Sequence, residues 1–160
     1  MREMLEGGPL DVLTGDYLAE LTMWVLARVR EKGSADGYAA TFVEQVTDCR
    51  DLIAASGVRI VANAGGLAPA ACAAALRPLG LPVAYVDGDD VRGCPGIPGH
   101  AVTANAYLGG WGIAAALGAG AQIVVTGRVT DAAMVIGSAA WWHGWSADDF
   151  NELAGALVAG

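Results

Sequence analysis

The sequence predicts an α/β protein with a parallel sheet of about four strands and flanking helices. Four short apolar runs are each followed by small and polar residues, and a helical pattern then begins. The runs are almost wholly apolar, which is typical of parallel strands that are covered on both faces. Strands that alternate with helices form βαβ units, and such units build a parallel sheet.

The strands are assigned to the apolar runs and the loops to the polar residues that end them. The predicted strands are Leu10–Leu13, Val58–Ala62, Pro82–Val86 and Gln122–Val125. The loops that close them are residues 14–16, 63–66, 87–90 and 126–128. Ligands of open parallel sheets bind beyond the carboxyl ends of the strands, so these loops are the predicted site.

Helices are predicted between and after the strands. Their ranges are Tyr17–Arg30, Tyr38–Ser56, Pro69 to about Leu79, and Asn105–Leu117. Apolar residues at helical spacing give the first helix one apolar face, made of Leu18, Leu21, Val25 and Val29. A turn over residues 33–37 separates the first two helices, and Gly57 is a predicted helix stop.

The carboxyl-terminal segment, residues 141–149, predicts a loop followed by a capped helix that runs to Gly160. Ser146 is expected to accept a hydrogen bond from the amide three residues on. Aromatic residues in this segment are expected to contact an oligomeric partner or a partner domain; they are Trp141, Trp142 and Trp145. Residues 1–160 are interpreted as a single α/β domain that is an incomplete part of a larger one.

The composition excludes several classes of protein. The formal net charge is −8, with no cluster of Lys and Arg, which argues against binding to nucleic acid. The three cysteines form no CxxC pair, so a reducing cytoplasm is the expected compartment. Residues 101–127 carry no charge, but their polar residues and glycines favour a buried helix and strand over a membrane span.

Paired glycines follow the second predicted strand. Gly65 and Gly66 come after Asn63, and together they are candidates for binding a substrate carboxylate or phosphate. The alternative is that the glycines only allow a tight turn between strand and helix.

Acidic residues are the candidates for catalysis. Asp16, Asp87, Asp89 and Asp131 all lie in strand-end loops. Close carboxylates transfer protons or bind Mg²⁺, and a magnesium site is therefore one interpretation of residues 87–90. The alternative interpretation is a solvated acidic turn.

Arg128 ends a long uncharged run at the mouth of the fourth predicted strand. A guanidinium in this position suits capture of an anionic substrate group, or else it forms an internal pair with Asp131. Asn105 is a candidate either for binding substrate or for capping a helix.

These loops together resemble the acyclic terpene utilisation family, in its AtuA-type amino-terminal domain. The matching stretches are residues 11–23 (DVLTGDYLAELTM), 37–38 (GY), 63–69 (NAGGLAP), 87–90 (DGDD), 105–109 (NAYLG) and 125–131 (VTGRVTD). Family members usually begin with a further strand and a Gly-Asp-Arg loop, and they continue beyond a segment like Leu153-Ala154-Gly155. The chain therefore resembles an internal portion of that domain.

The resemblance implies a role in the breakdown of branched acyclic terpenoids such as citronellol and geraniol, whose intermediates are acyl-CoA thioesters. An enzyme that acts on such a thioester or a related carboxylate is the first hypothesis, with its reaction unassigned. The others are a non-catalytic subunit or assembly domain, and a truncated fragment without independent activity. The motif positions are implied as ligand-site residues.

Overall fold

Four short strands form one parallel sheet in the order β1-β2-β4-β3. The structure is a computed structural model that describes residues 1–33 and 36–160. The strands are β1 (Val12–Gly15), β2 (Arg59–Ala62), β3 (Val83–Val86) and β4 (Ile123–Thr126). Ile60 of β2 is in register with Leu13 and with Ile123. The predicted α/β class, with a four-stranded parallel sheet, is confirmed.

Eight α-helices flank the sheet within the described residues. They are α1 (Arg2–Glu6), α2 (Glu20–Glu31), α3 (Ala40–Asp48), α4 (Arg50–Ser56), α5 (Pro69–Leu76), α6 (Trp111–Gly118), α7 (Ala133–His143) and α8 (Phe150–Ala159). A 3-10 turn, Arg77–Leu79, continues α5. Gly57 ends α4 with a φ of 70°, as predicted, because glycine adopts this left-handed conformation without strain.

The core has two layers because side chains alternate across the sheet. Ile60 and Ile123 pack on one face against residues of α3, α4 and α5. Val61 and Val124 pack on the opposite face against α6 and α7. Cys72 of α5 lies in the first layer, and its burial raises the pKa of the thiol to about 12. The thiol is therefore protonated at neutral pH and serves as core.

Two predicted helices differ from those in the structure. The helix predicted over 38–56 is divided at Cys49, whose ψ of 6° interrupts the helical path between α3 and α4. The helix predicted from Asn105 begins only at Trp111. Asn105 instead forms an antiparallel bridge with Asp90, so a tertiary contact overrides the helical pattern of the sequence.

The apolar face predicted for the first helix is wrong at Leu21 and Val25, whereas Leu18 is buried ahead of the helix. Helix α2 begins at Glu20, and its buried residues are Met23 and Ala27. Leu21 is 70% exposed, and Val25 also faces solvent. The predicted turn over residues 33–37 includes Ser34 and Ala35, which lie outside the described residues.

The carboxyl-terminal segment is more helical than predicted. Trp141 and Trp142 belong to α7, and a loop begins only after His143. The N-cap residue of α8 is Asp149, which makes no side-chain cap hydrogen bond; its carboxylate instead accepts hydrogen bonds from the amide and hydroxyl of Ser146, at 2.6 and 3.0 Å. A carboxylate is the stronger acceptor of the two side chains, which explains the direction.

In the part of the chain that the structure describes, no helix combines the length and the apolar character needed to cross a bilayer.

Helices α6 and α7 approach closely at Gly110 and Gly137. A Cβ added to Gly137 would lie 2.8 Å from Cβ of Ile113, so Gly137→Ala is expected to lower the free energy of unfolding by about 1–3 kcal/mol. The matched control is Gly155→Ala in α8, where a Cβ meets nothing within 4 Å. This variant is expected to be more stable by about 0.5–1 kcal/mol. Urea denaturation of both variants measures the difference, and equal stability would contradict the close approach.

Candidate functional site

The predicted site residues lie at the carboxyl edge of the sheet, where they form two separate clusters. The first joins the ends of β1 and β2, which are neighbours in the sheet. The second joins the ends of β3 and β4, at the other side of the sheet. The strand order therefore decides which of the polar loops meet.

Asp16 and Asn63 form the first cluster. The Asn63 amide donates a hydrogen bond of 2.7 Å to Oδ1 of Asp16, and its own oxygen accepts one of 2.6 Å from the backbone N–H of Tyr17. Asp16 Oδ1 also accepts from the N–H of Leu18, at 3.0 Å. Asn63 is buried, and its side chain holds the loop after β1 against the end of β2.

Gly65 and Gly66 form a tightly packed turn after Asn63. The Gly65 N–H donates to the Thr126 carbonyl at 2.9 Å, and a Cβ on Gly65 would lie 2.6 Å from the same oxygen. Gly66 has a φ of +54° and contacts Leu26 of α2. These contacts are those of a tight strand-to-helix turn, and a ligand-binding role for the glycines stays a prediction.

Asp89 is the centre of the second cluster. It is 4% exposed, and its Oδ2 accepts hydrogen bonds of 2.8 Å from the Asn105 amide and from the backbone N–H of Arg128. A Cβ on Gly127 would lie 2.6 Å from Cγ of Asp89, so only glycine lets the carboxylate reach the end of β4. Asp89 therefore joins the loops after β3 and β4.

The guanidinium of Arg128, whose backbone N–H binds this carboxylate, is buried. Nη1 donates to the Leu18 carbonyl at 2.7 Å, and Nη2 lies 3.3 Å from Oε1 of Glu20. The Tyr107 ring covers the group, with 4.3 Å between the ring centre and Cζ. The Arg128 side chain is 5% exposed and the Glu20 side chain 78%. The internal ion pair of Arg128 is therefore with Glu20 rather than with Asp131.

Glu20 is held by two donors at once. Its Oε1 accepts from the Tyr107 hydroxyl as well as from Arg128. The hydrogen bond from Tyr107 is the largest cause that lowers the pKa of Glu20, and the charge of Arg128 acts in the same direction. Arginine and tyrosine thus converge on one carboxylate, an arrangement suited to anion recognition.

A pocket of about 210 Å³ opens above these groups. It is lined by Glu20, Met23, Thr103, Ala104, Asn105, Tyr107 and Arg128. One wall comes from α2 and the other from the segment that precedes α6. We call this pocket, together with its walls, the α2 cleft.

The other predicted acidic residues do not converge on the α2 cleft. Asp87 and Asp131 are exposed, and their side chains make no hydrogen bond to another described residue. Asp90 pairs with Arg92. Within residues 1–33 and 36–160 no group of three or more His, Cys, Asp or Glu is placed to hold a metal ion. Catalytic roles for Asp16, Asp87, Asp89 and Asp131 stay predictions.

Glu20 and Tyr107 line the pocket and contact Arg128, but among the candidate residues they were implied only as positions of the motifs that carry the resemblance. Both lie inside the stretches that carry the family resemblance, four residues after Asp16 and two after Asn105. Their proximity to motif residues is the signal that identifies them. Their convergence on Arg128 depends on contacts across 108 and 21 positions of the chain, and no local pattern reveals such contacts.

The fold and this pocket define the chain as a parallel α/β protein with a candidate ligand cleft at the strand ends. The profile of the family described as "Acyclic terpene utilisation family protein AtuA" matches residues 1–160, the whole chain. The chain therefore belongs to the acyclic terpene utilisation (AtuA) family. Comparison with curated proteins gives no significant match, and comparison with solved structures gives none either.

Replacement of Asp89 tests whether its carboxylate organises the second cluster. Asp89→Asn is expected to lower the free energy of unfolding by about 1–3 kcal/mol, because the oxygen of an amide is a weaker acceptor of the two hydrogen bonds than the oxygen of a carboxylate. Asp87→Asn, two residues away and exposed, is the control and is expected to change stability by less than about 0.5 kcal/mol. Chemical denaturation measures both variants, and equal effects would contradict the assignment.

Proposed function

We propose that the α2 cleft binds the carboxylate, or the thioester carbonyl, of a branched acyclic acyl compound formed in terpene breakdown. Membership of the acyclic terpene utilisation family indicates the general role. The chemistry of the cleft supports the narrower proposal, since it combines a buried guanidinium with apolar lining from Met23 and Ala104.

The observation that carries the proposal is the contact between Arg128 and Glu20. The cation is buried, whereas its carboxylate partner belongs to an exposed side chain. The exposed Glu20 carboxylate is solvated when it rotates away, and a ligand carboxylate that takes its place keeps the buried guanidinium paired. Glu20 then occupies the place of a ligand carboxylate and is displaced when the ligand binds.

The rest of the cleft is already arranged for this exchange. Arg128 is held by the Leu18 carbonyl and by the Tyr107 ring, neither of which neutralises its charge. The amide of Asn105 is fixed by Asp89, which makes Asp89 a positioning residue for the lining. Groups that are held before binding lose little conformational entropy when the ligand arrives.

Substitution of Glu20 and Arg128 tests the exchange. Glu20→Gln is expected to tighten binding of citronellate by about fivefold, because a neutral amide competes less well for the guanidinium. Arg128→Lys is expected to weaken it by about tenfold, since the planar group is lost. Isothermal titration at low salt measures both constants.

Glu6→Gln is the matched control for this test. Glu6 lies on α1 and pairs with the exposed Arg2, so its replacement makes the same change of charge away from the cleft. Its affinity should equal that of the unsubstituted chain. Weaker binding in Glu20→Gln, or the same gain in both glutamine variants, would contradict the proposal.

An assembly role is a second proposal, supported by exposed apolar residues on the carboxyl-terminal helices. Trp142 is 54% exposed, and Phe150 and Leu157 of α8 are more than half exposed at helical spacing. Trp141 contributes less, because it packs against the second core layer and below Arg59. Trp145 stacks on His143 with 5.0 Å between ring centres.

Self-association of the chain tests this role. The chain is expected to dimerise at micromolar concentration in sedimentation equilibrium, and Phe150→Ser with Leu157→Ser to shift it to monomer. Leu21→Ser is the control, because it removes a similar exposed apolar area from α2. A chain that stays monomeric without any substitution would contradict self-association through α8.

A further inference from the structure

A second pocket of about 350 Å³ adjoins the α2 cleft. It is lined by Ala27, Arg30, Glu31, Leu67, Arg92 and Val102. Two of these six residues are arginines that come from different parts of the chain. A concentration of positive charge is notable here because the chain carries a net charge of −8.

The two pockets are consecutive parts of one groove. Met23 lines the first and Ala27 the second, and these residues lie on successive turns of the buried face of α2. On the opposite wall the neighbours Thr103 and Val102 line the first and second pocket. Glu20 lines the first pocket and Arg30 the second, and the helix rises about 15 Å between these two residues.

The Arg30 side chain is held in place by its neighbours, but its guanidinium forms no salt bridge with a described residue. A Cβ on Gly37 would lie 3.1 Å from Cδ of Arg30, so the stem of the side chain packs against this glycine. Nη1 reaches the Leu67 carbonyl at 3.4 Å. Within residues 1–33 and 36–160 the guanidinium makes no salt bridge. Glu31, which also lines the pocket, is paired with Arg28.

Arg92 contributes a second guanidinium, whose hydrogen-bond donors are only partly used. Its Nε and Nη2 hold the carboxylate of Asp90, at distances of 2.6 to 3.1 Å, while Nη1 has no hydrogen bond to a described residue. The pKa of Asp90 is lowered mainly by the hydrogen bond from Arg92 and also by the charge of Arg30, which lies near enough to act on the pair. The net charge of Arg30, Arg92 and Asp90 together is therefore positive, since two guanidinium groups face one carboxylate.

We infer that this second pocket binds a phosphate or diphosphate group at the far end of an elongated ligand whose acyl end lies at Arg128. The inference rests on the proposed function and makes it more specific. The ligand class is an acyl thioester of a phosphorylated carrier rather than a free acid, because only the former has an anion about 15 Å or more from its acyl group. The Arg92 side chain at this end is 46% exposed, so its contribution to binding is electrostatic and depends on salt.

Titration with two ligands that share the acyl group tests the inference. Citronellate and its coenzyme A thioester are titrated into the unsubstituted chain and into Arg30→Gln at low salt. The thioester is expected to bind about tenfold more weakly to the variant, the size of one charge-assisted contact, while the free acid is unaffected. Arg30→Lys keeps the charge and should retain most of the affinity for the thioester.

Arg77→Gln is the matched control, since it removes the same charge from the exposed 3-10 turn after α5. Arg77 lines neither pocket of the groove, so thioester binding should not change. An equal loss for the acid and the thioester in Arg30→Gln, or an equal loss in Arg77→Gln, would overturn the inference.

Inorganic pyrophosphate separates this inference from the proposed function. Its binding to the unsubstituted chain, lost in Arg30→Gln and kept in Arg128→Lys, supports the anion pocket even where neither acyl ligand binds. Failure of the acyl ligands alone then counts against the proposed function. Absence of pyrophosphate and thioester binding overturns the anion pocket.

Discussion

The buried carboxylate of Asp89 is the interaction on which the geometry of the α2 cleft depends. It accepts hydrogen bonds from Asn105 and from the backbone of Arg128, and its own backbone carbonyl accepts from Ala106 at 2.7 Å. A buried carboxylate without such donors would be strongly destabilising. The loops after β3 and β4 and the segment before α6 are therefore ordered together, and loss of one contact weakens all three.

Arg128 connects the hydrogen bonds around Asp89 to the other side of the cleft. Its backbone is held by Asp89, while its guanidinium reaches the Leu18 carbonyl and Glu20 at the start of α2. One residue thus connects the end of β4 with the segment after β1. The sheet order separates β1 from β4 by β2, so a long side chain is needed to span the distance.

The strand-end loops could be predicted from the sequence because they depend on local features. Apolar runs of four or five residues located every strand to within two positions, and Gly57 located a helix end. The start of α6 and the buried face of α2 could not be predicted, because a bridge from Asn105 to Asp90 and packing at Met23 decide them. Propensity is overridden where a tertiary contact contributes more free energy.

The sequence by itself determined the fold class, the positions of the polar loops and the family. Each of these depends on short stretches of neighbouring residues. Only the tertiary structure decided which loops meet, and it placed Asp16 with Asn63 and Asp89 with Asn105 in two separate clusters. It also brought Glu20 and Tyr107 to Arg128 and Arg30 to Arg92. The physical reason is that strand order and register set distances between residues far apart in the chain, and these distances determine the electrostatics of a site.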